Sequence, residues 1–177
     1  MAFELIGKIL VLNQDGILLS GKIVETEAYF GAQDPASHAY RGRTLRNQVM
    51  FGLAGISYVY FTYGNHHCLN IVTEEEGTAG AVLIRALEPL AGIELMKKRR
   101  GNQNELALTN GPGKLTQAFG ITREHSGHDL TKSMFYVTEE GEEKSIDIQT
   151  DKRIGISRAQ NLPLRFYLRG NPFVSVI

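Results

Sequence analysis

The sequence predicts a single α+β domain with a mostly antiparallel sheet, and three observations carry that reading. Hairpin signals outnumber strand-helix-strand alternations, which favours antiparallel pairing with short helices beside it. The apolar runs are short and punctuated by Gly, Asn and Asp, as strands and brief helices are. No repeat, low-complexity tract or Pro/Ser-rich linker interrupts the 177 residues, so residues 1–177 read as one compact unit.

Taken in order, Lys8 to Leu12 and Ile17 to Ala28 are strand-like runs joined through Asn13-Gln14-Asp15-Gly16, whose Asp-Gly pair is a hairpin signal. Alternation places Glu25, Glu27 and Tyr29 on one side of the second strand and Thr26 and Ala28 on the other. Asp34-Pro35 reads as a helix cap followed by Pro at the first helical position, opening a short turn that carries His38. Thr44 to Phe51 is a second short helix, ended by Gly52. Ile56 to Thr62 and Cys68 to Thr73 flank Tyr63-Gly64-Asn65-His66, a hairpin with Tyr63 near its tip. Ala81 to Ala86 is a short strand, Pro89 begins a helix that Gly101 stops, and Asn110 to Lys114 leads into a helix through Phe119 that Gly120 caps. The last strand candidates are Arg153 to Ser157, Leu164 to Leu168 and Val174 to Ile177.

Composition narrows the function classes. Lys and Arg (19) balance Asp and Glu (19), so bulk charge does not explain any binding to nucleic acid. The distribution is uneven, however: no acid lies between Asp34 and Glu74, a span holding Arg41, Arg43, Arg46 and three histidines. Acids gather at Glu139, Glu140, Glu142, Glu143 and Asp147. One positive and one negative face is one reading, and a solvated charge run is the other. Cys68 is the sole cysteine, which excludes an intrachain disulfide and fits a reducing compartment such as the cytoplasm. Glu4, Lys8 and Asp15 interrupt the start, so no signal peptide is expected, and the glycines and histidines of the uncharged stretch from Asn47 to Thr73 argue against a membrane span.

Three constellations could carry chemistry. Arg85 lies inside the apolar run Val82 to Leu87, where an unpaired cation would cost several kcal/mol, so it needs an anionic partner. Glu27 is one, and the pair reads either as a carboxylate that orients a water as general base or as a structural ion pair. His66, His67, Cys68 and His38 lack the paired spacing of a zinc site, and no metal or other cofactor is expected. Gly111-Pro112-Gly113-Lys114 resembles a phosphate cradle without the longer loop of a nucleotide-triphosphate site.

Val24-Glu25-Thr26-Glu27-Ala28-Tyr29, Asp34-Pro35-Ala36-Ser37-His38, Arg41 to Asn47, Tyr58-Val59-Tyr60-Phe61-Thr62-Tyr63-Gly64, Leu83-Ile84-Arg85-Ala86-Leu87-Glu88-Pro89, Gly111 to Leu115 and Leu164-Arg165-Phe166-Tyr167 follow one another along the chain. Together they resemble the mammalian-type alkyladenine (3-methyladenine) DNA glycosylase family, over nearly the whole length. The resemblance implies a curved antiparallel sheet with short flanking helices and a protruding hairpin that intercalates in DNA. It implies a monofunctional enzyme that flips damaged purines (3-methyladenine, 7-methylguanine, hypoxanthine, ethenoadenine) out of duplex DNA and hydrolyses the N-glycosidic bond, leaving an abasic site.

By that resemblance, Glu27 matches the general base, with Arg85 and the backbone carbonyl of Ile154 holding the water. Tyr29 and His38 match the residues that sandwich the flipped base, Tyr60 a further wall, and Asn70 the residue that obstructs the 2-amino group of guanine. Tyr63 matches the intercalating residue, and Arg43, Arg46, Asn47 and Lys114 match phosphate contacts. The implied partner is double-stranded DNA with damaged purines, met by a monomer in the bacterial cytoplasm, with no membrane. Asn65 beside the wedge and Leu45 depart from the family pattern, and no long N-terminal extension precedes the fold. A non-catalytic damage-binding module of the same fold is the competing expectation, since it would need no carboxylate beside Arg85. A glycosylase-lyase would need an amine that no matched pocket residue supplies.

Overall fold

The structure, a computed structural model, describes residues 1–62, 64–132, 134–139 and 146–175. Asp15 and Gly16 both take positive φ, 53° and 79°, the conformation that a two-residue hairpin turn demands. They close the hairpin between β1 (Ile9–Gln14) and β2 (Ile17–Phe30). β3 (Ser57–Thr62) and β4 (His66–Val72) form the second hairpin, and β4 pairs with β5 (Gly80–Ala91). The sheet runs β3-β4-β5-β2-β1-β6, with β6 (Phe135–Thr138) at the far edge. The long β2 spends one edge on β5 and divides the other between β1 and β8 (Arg165–Leu168), which pairs in turn with β7 (Ile148–Asp151). Every pairing is antiparallel, and the sheet curls into a half-barrel, as the sequence predicts.

Two helices, α1 (Ile93–Arg100) and α2 (Pro112–Phe119), cover one face. There Ile23, Leu69, Ile84, Leu87, Met96, Leu108, Leu115 and Phe119 form a fully buried core. Removing such apolar surface from water contributes about 25 cal/mol per Å². Gly92 makes the tight entry to α1 possible: at φ 77°, any Cβ would lie 2.4 Å from the Leu19 side chain and 2.8 Å from the Leu18 carbonyl oxygen. No helix among the described residues is long and apolar enough to cross a membrane.

The structure corrects several local expectations. Pro89 does not begin a helix, because β5 runs on to Ala91. Past Leu83 β5 no longer pairs with β4, so the missing N–H of Pro89 breaks no ladder on that edge. The short turn expected after Asp34-Pro35 is present and carries His38, whereas of the helix expected over Thr44 to Phe51 only Gln48–Phe51 winds into a 3₁₀ turn, with Gly52 after it. Asp34 does receive the Ala36 amide at 3.1 Å, but its carboxylate is also claimed by a distant arginine. Residues 153–157 form a loop rather than a strand, whereas β6 and β7 were not expected. Val174 lies outside any strand, and residues 176–177, Tyr63 and Glu140, Glu142 and Glu143 of the acidic segment fall outside the described residues.

The face opposite the helices carries the site. Alternation brings Tyr58 and Tyr60 of β3, Cys68 and Asn70 of β4, Leu83 and Arg85 of β5, and Glu27 and Tyr29 of β2 to it. In register, Tyr58 lies opposite Asn70, Asn70 opposite Leu83, and Leu83 opposite Glu27, a single row across four strands. Strict alternation would also turn Ile23 and Leu87 to this face. Instead Ile23 pairs with Leu87, Glu25 with Ala86 and Thr26 with Ile84, so Val24 and Arg85 are extra residues at facing bulges. The bulges leave Ile23 and Leu87 in the helix-side core while Glu25, Glu27 and Arg85 meet one another on the site face.

Candidate active site

Glu27 is fully buried beneath a pocket of about 730 Å³. Its Oε1 accepts the Ile154 amide at 2.7 Å and lies 3.2 Å from Arg85 Nη1, and its Oε2 accepts the Tyr29 hydroxyl at 2.8 Å. A carboxylate has about four acceptor positions. The three donors leave one open, on Oε2. Ile154 meets Glu27 through its N–H, a contact separate from the carbonyl that the resemblance assigns to the water.

Arg85 has more than one anionic partner. Its Nε donates to Glu25 Oε1 at 3.0 Å, the same oxygen that receives Arg165 Nε at 2.7 Å, and Glu25 Oε2 accepts the Ser175 amide at 2.8 Å. The Arg85 guanidinium is thus held by one buried carboxylate, Glu25, and presented to a second, Glu27. Arg85, Glu25 and Arg165 are all buried.

Tyr29, His38, Tyr60, Asn70, Arg85 and Ile154, named from the sequence, line this one pocket together with Tyr58, Cys68 and residues 155–158. His38 packs edge-on against Tyr60 with centroids 4.5 Å apart, and its Nδ1 lies 3.1 Å from the Tyr58 hydroxyl. Burial, then the Arg46 charge, hold the His38 pKa below its ordinary value. The imidazole is therefore neutral at pH 7. Burial raises the tyrosines, with Tyr58 pushed up to about 12. Tyr29 is raised by burial first and then by the Glu27 charge, and Tyr60 by burial and its contact with Cys68. Burial also pushes the Cys68 thiol up. The pocket thus presents neutral aromatic walls above one buried carboxylate. Asn70 is buried on the pocket face, its amide donating to the Tyr58 carbonyl at 3.1 Å.

The expected phosphate contacts divide. Arg43 and Arg46 are exposed on the loop beside the pocket, with Arg46 donating to the Phe61 carbonyl at 3.3 Å. Lys114 is half-buried and donates to Asn110 Oδ1 at 2.8 Å. Asn47 is buried at 1% exposure, which removes its side chain from any solvent-facing surface. Its amide donates to the carbonyls of His38 (2.8 Å) and Gly42 (3.0 Å), and its Oδ1 accepts the Thr44 N–H at 2.6 Å. It braces the His38 loop and, through it, the arginines. Tyr63 lies outside the described residues, between Thr62 of β3 and the exposed Gly64. The hairpin leans on α2: a Cβ at Gly113 would come within 2.9 Å of the His66 ring. Among the described residues no cluster of His, Cys, Asp or Glu could hold a metal ion.

Sequence reasoning missed the ion pairs that hold the site. Besides Glu25 with Arg165, Arg153 forks onto Asp34, with Nη2 2.8 Å from Oδ1 and Nη1 on Oδ2. The cue that singled out Arg85, a cation within a strand-like run, applies equally to Arg165 in Leu164 to Leu168 and to Arg153 beside Ile154.

A family model described as methylpurine-DNA glycosylase matches residues 1–172. A protein of Chlorobium luteolum named "Putative 3-methyladenine DNA glycosylase" is 53% identical over 173 residues, covering 97% of this chain and 88% of the relative. Proteins of the same name from Carboxydothermus hydrogenoformans and Methanoculleus marisnigri are 52% and 48% identical, each covering 99% of this chain and 92% of the relative. With the carboxylate, the aromatic pocket and the curled sheet in place, the match from end to end settles the lineage: the chain belongs to the methylpurine-DNA glycosylase family.

Proposed function

We propose that this DNA glycosylase is monofunctional: it turns a damaged purine nucleotide of duplex DNA into the pocket, hydrolyses the N-glycosidic bond with a water activated by Glu27, and leaves an abasic site. The observation that carries the reading is the Glu27 carboxylate, fixed by Ile154, Arg85 and Tyr29 with one acceptor position open beneath aromatic walls. A water seated at that position gives its proton to Oε2 as its oxygen attacks C1′. The C1′–N bond electrons leave with the base, and the carboxylate stabilises the oxocarbenium character that develops on the sugar.

Tyr29 and His38 sandwich the base, with Tyr60 as a further wall, at ~1–3 kcal/mol per base for an aromatic contact that tolerates different purines. That breadth suits 3-methyladenine, 7-methylguanine, hypoxanthine and ethenoadenine alike. Asn70, on the pocket face beside Leu83, obstructs the 2-amino group of normal guanine; 7-methylguanine carries the same group, but its positive charge makes it a better leaving group, which offsets the obstruction. Arg43, Arg46 and Lys114 contact phosphates, and Tyr63 fills the gap left by the flipped nucleotide, which offsets part of the few kcal/mol of unstacking. No lysine occurs among the described lining residues to form a Schiff base with the sugar, which favours hydrolysis without strand cleavage. The enzyme acts as a monomer on DNA in the cytoplasm.

The test is single-turnover release of hypoxanthine and of 3-methyladenine from duplex DNA by wild type and by Glu27→Gln. The variant binds the lesion and releases no base; release at the wild-type rate removes Glu27 from its role. Lesion binding by wild type without release would point to a damage-binding module.

A further inference from the structure

Arg153 follows the end of β7, where the chain turns across the pocket mouth toward Arg158. Its side chain is 0% exposed and Asp34 is 1% exposed. Besides the fork to Asp34, Arg153 Nη1 donates to the Ala28 carbonyl at 2.9 Å, and the guanidinium lies over the Tyr29 ring, 4.5 Å from its centroid. Asp34 in turn accepts the Phe30 amide at 3.2 Å and the Ala36 amide at 3.1 Å, so it anchors the first residues of the His38 loop. The residue after Arg153 is Ile154, whose N–H holds Glu27 Oε1 at 2.7 Å. One guanidinium thus joins the end of β2, the ring of Tyr29, the base of the His38 loop and the amide that orients the carboxylate.

A buried ion pair is a poor device for stability alone, since well-packed apolar residues of similar volume often do as well. Its placement here suits orientation instead. We propose that Arg153, locked by Asp34, is a positioning residue for base release: it sets the plane of Tyr29 and holds the Ile154 amide on Glu27, so that base and water meet in one fixed geometry. The inference rests on Glu27 acting as the base. The role needs the planar fork of arginine, because lysine keeps the charge but cannot bind Asp34 through two bonds from one rigid group that also lies over a ring.

The experiment compares wild type with Arg153→Lys, Asp34→Asn and the double variant, each below its own melting temperature. Three quantities are read: single-turnover release of hypoxanthine from duplex DNA, affinity for a duplex carrying an abasic site, and the Ile154 amide proton shift in isoleucine-labelled protein. Each single variant loses at least about tenfold in release, since small misplacements of reacting groups are costly. Affinity for the abasic duplex stays within about twofold, because phosphate contacts lie elsewhere. The double variant is no slower than the slower single, as groups acting as one unit are not additive. The Ile154 amide moves upfield as its hydrogen bond loosens. Release within about twofold of wild type overturns the proposal, as does an unmoved Ile154 amide or an equal fall in abasic-duplex affinity. Wild-type protein that releases no base overturns the glycosylase reading itself, a result separable from the amide shift.

Discussion

Glu25 does not itself line the pocket, yet its replacement should be among the most damaging single changes in the chain. The carboxylate is fully buried and receives Arg85 Nε, Arg165 Nε and the Ser175 amide at 3.0, 2.7 and 2.8 Å. Glu25→Gln preserves the shape and removes the charge. Hydrogen bonds to a charged group contribute about 1.5–3 kcal/mol each and neutral ones about 0.5–1.5, so weakening the two arginine bonds costs ~2–3 kcal/mol. Glutamine also has one NH2 end, which must face either a guanidinium or the Ser175 N–H, donor against donor, at a further ~1–2 kcal/mol. The sum, ~3–5 kcal/mol, is the range for breaking a buried ion pair. For a domain of this size it lowers the melting temperature by about 6–20 °C. Urea and thermal unfolding beside wild type measure it. A loss below ~1 kcal/mol would mean that water already shares these charges, and the account of a sealed network would fall. Arg85 also loses the anchor on its Nε, so base release should slow in the folded variant as well.

Two further perturbations test other parts of the molecule. Gly113→Ala places a methyl 2.9 Å from the His66 ring, so the hairpin carrying Tyr63 must shift off α2. We expect release from duplex lesions to slow several-fold with a stability change below ~1 kcal/mol, since the site lies away from the core; unchanged release would separate the hairpin from lesion capture. The second perturbation is pH. Burial lowers the pKa of His38, His67 and His125 in the folded chain, helped by Arg46, Arg123 and His128 respectively. The unfolded chain therefore binds protons first: stability is full above about pH 6.5 and declines as pH falls below it. Asp34 adds a second loss at lower pH. Burial pushes its carboxyl up, but the Arg153 hydrogen bond and the Ala36 amide outweigh that and leave it below the usual value, so its contribution fades as pH falls below about 4. Urea unfolding at pH 7.5 and 5.5 reads the histidine part, and equal stabilities at the two would refute it.

What the sequence discloses and what it hides divide by reach along the chain. The Asp15-Gly16 turn, the stops at Gly101 and Gly120, and the shared face of Glu27 and Tyr29 depend on neighbours within a few residues, and all are visible in the sequence. The demand of Arg85 for an anion is visible too, because burial of a cation is costly wherever the partner comes from. The identity of its partners is not. Glu25 and Arg165 are 140 residues apart, and Arg153 and Asp34 are 119. Only the strand order that sets β8 against β2 brings the first pair together, and only the loop after β7 brings the second. The same long reach explains one of the misread segments. Residues 153–157 have the composition of a strand, but Arg153 is held by Asp34 and Ala28, and the Ile154 N–H is spent on Glu27 rather than on a ladder. Asn47, read as a phosphate contact in an arginine-rich loop, is instead the residue around which that loop closes. In the first place a local preference yields to buried groups satisfied across 119 and 127 residues, and in the second to a buried amide whose partners lie only three to nine residues away. Sites of this kind are where local sequence rules fail, because the side chains that hold a buried carboxylate in place answer to that carboxylate and not to the element in which they lie.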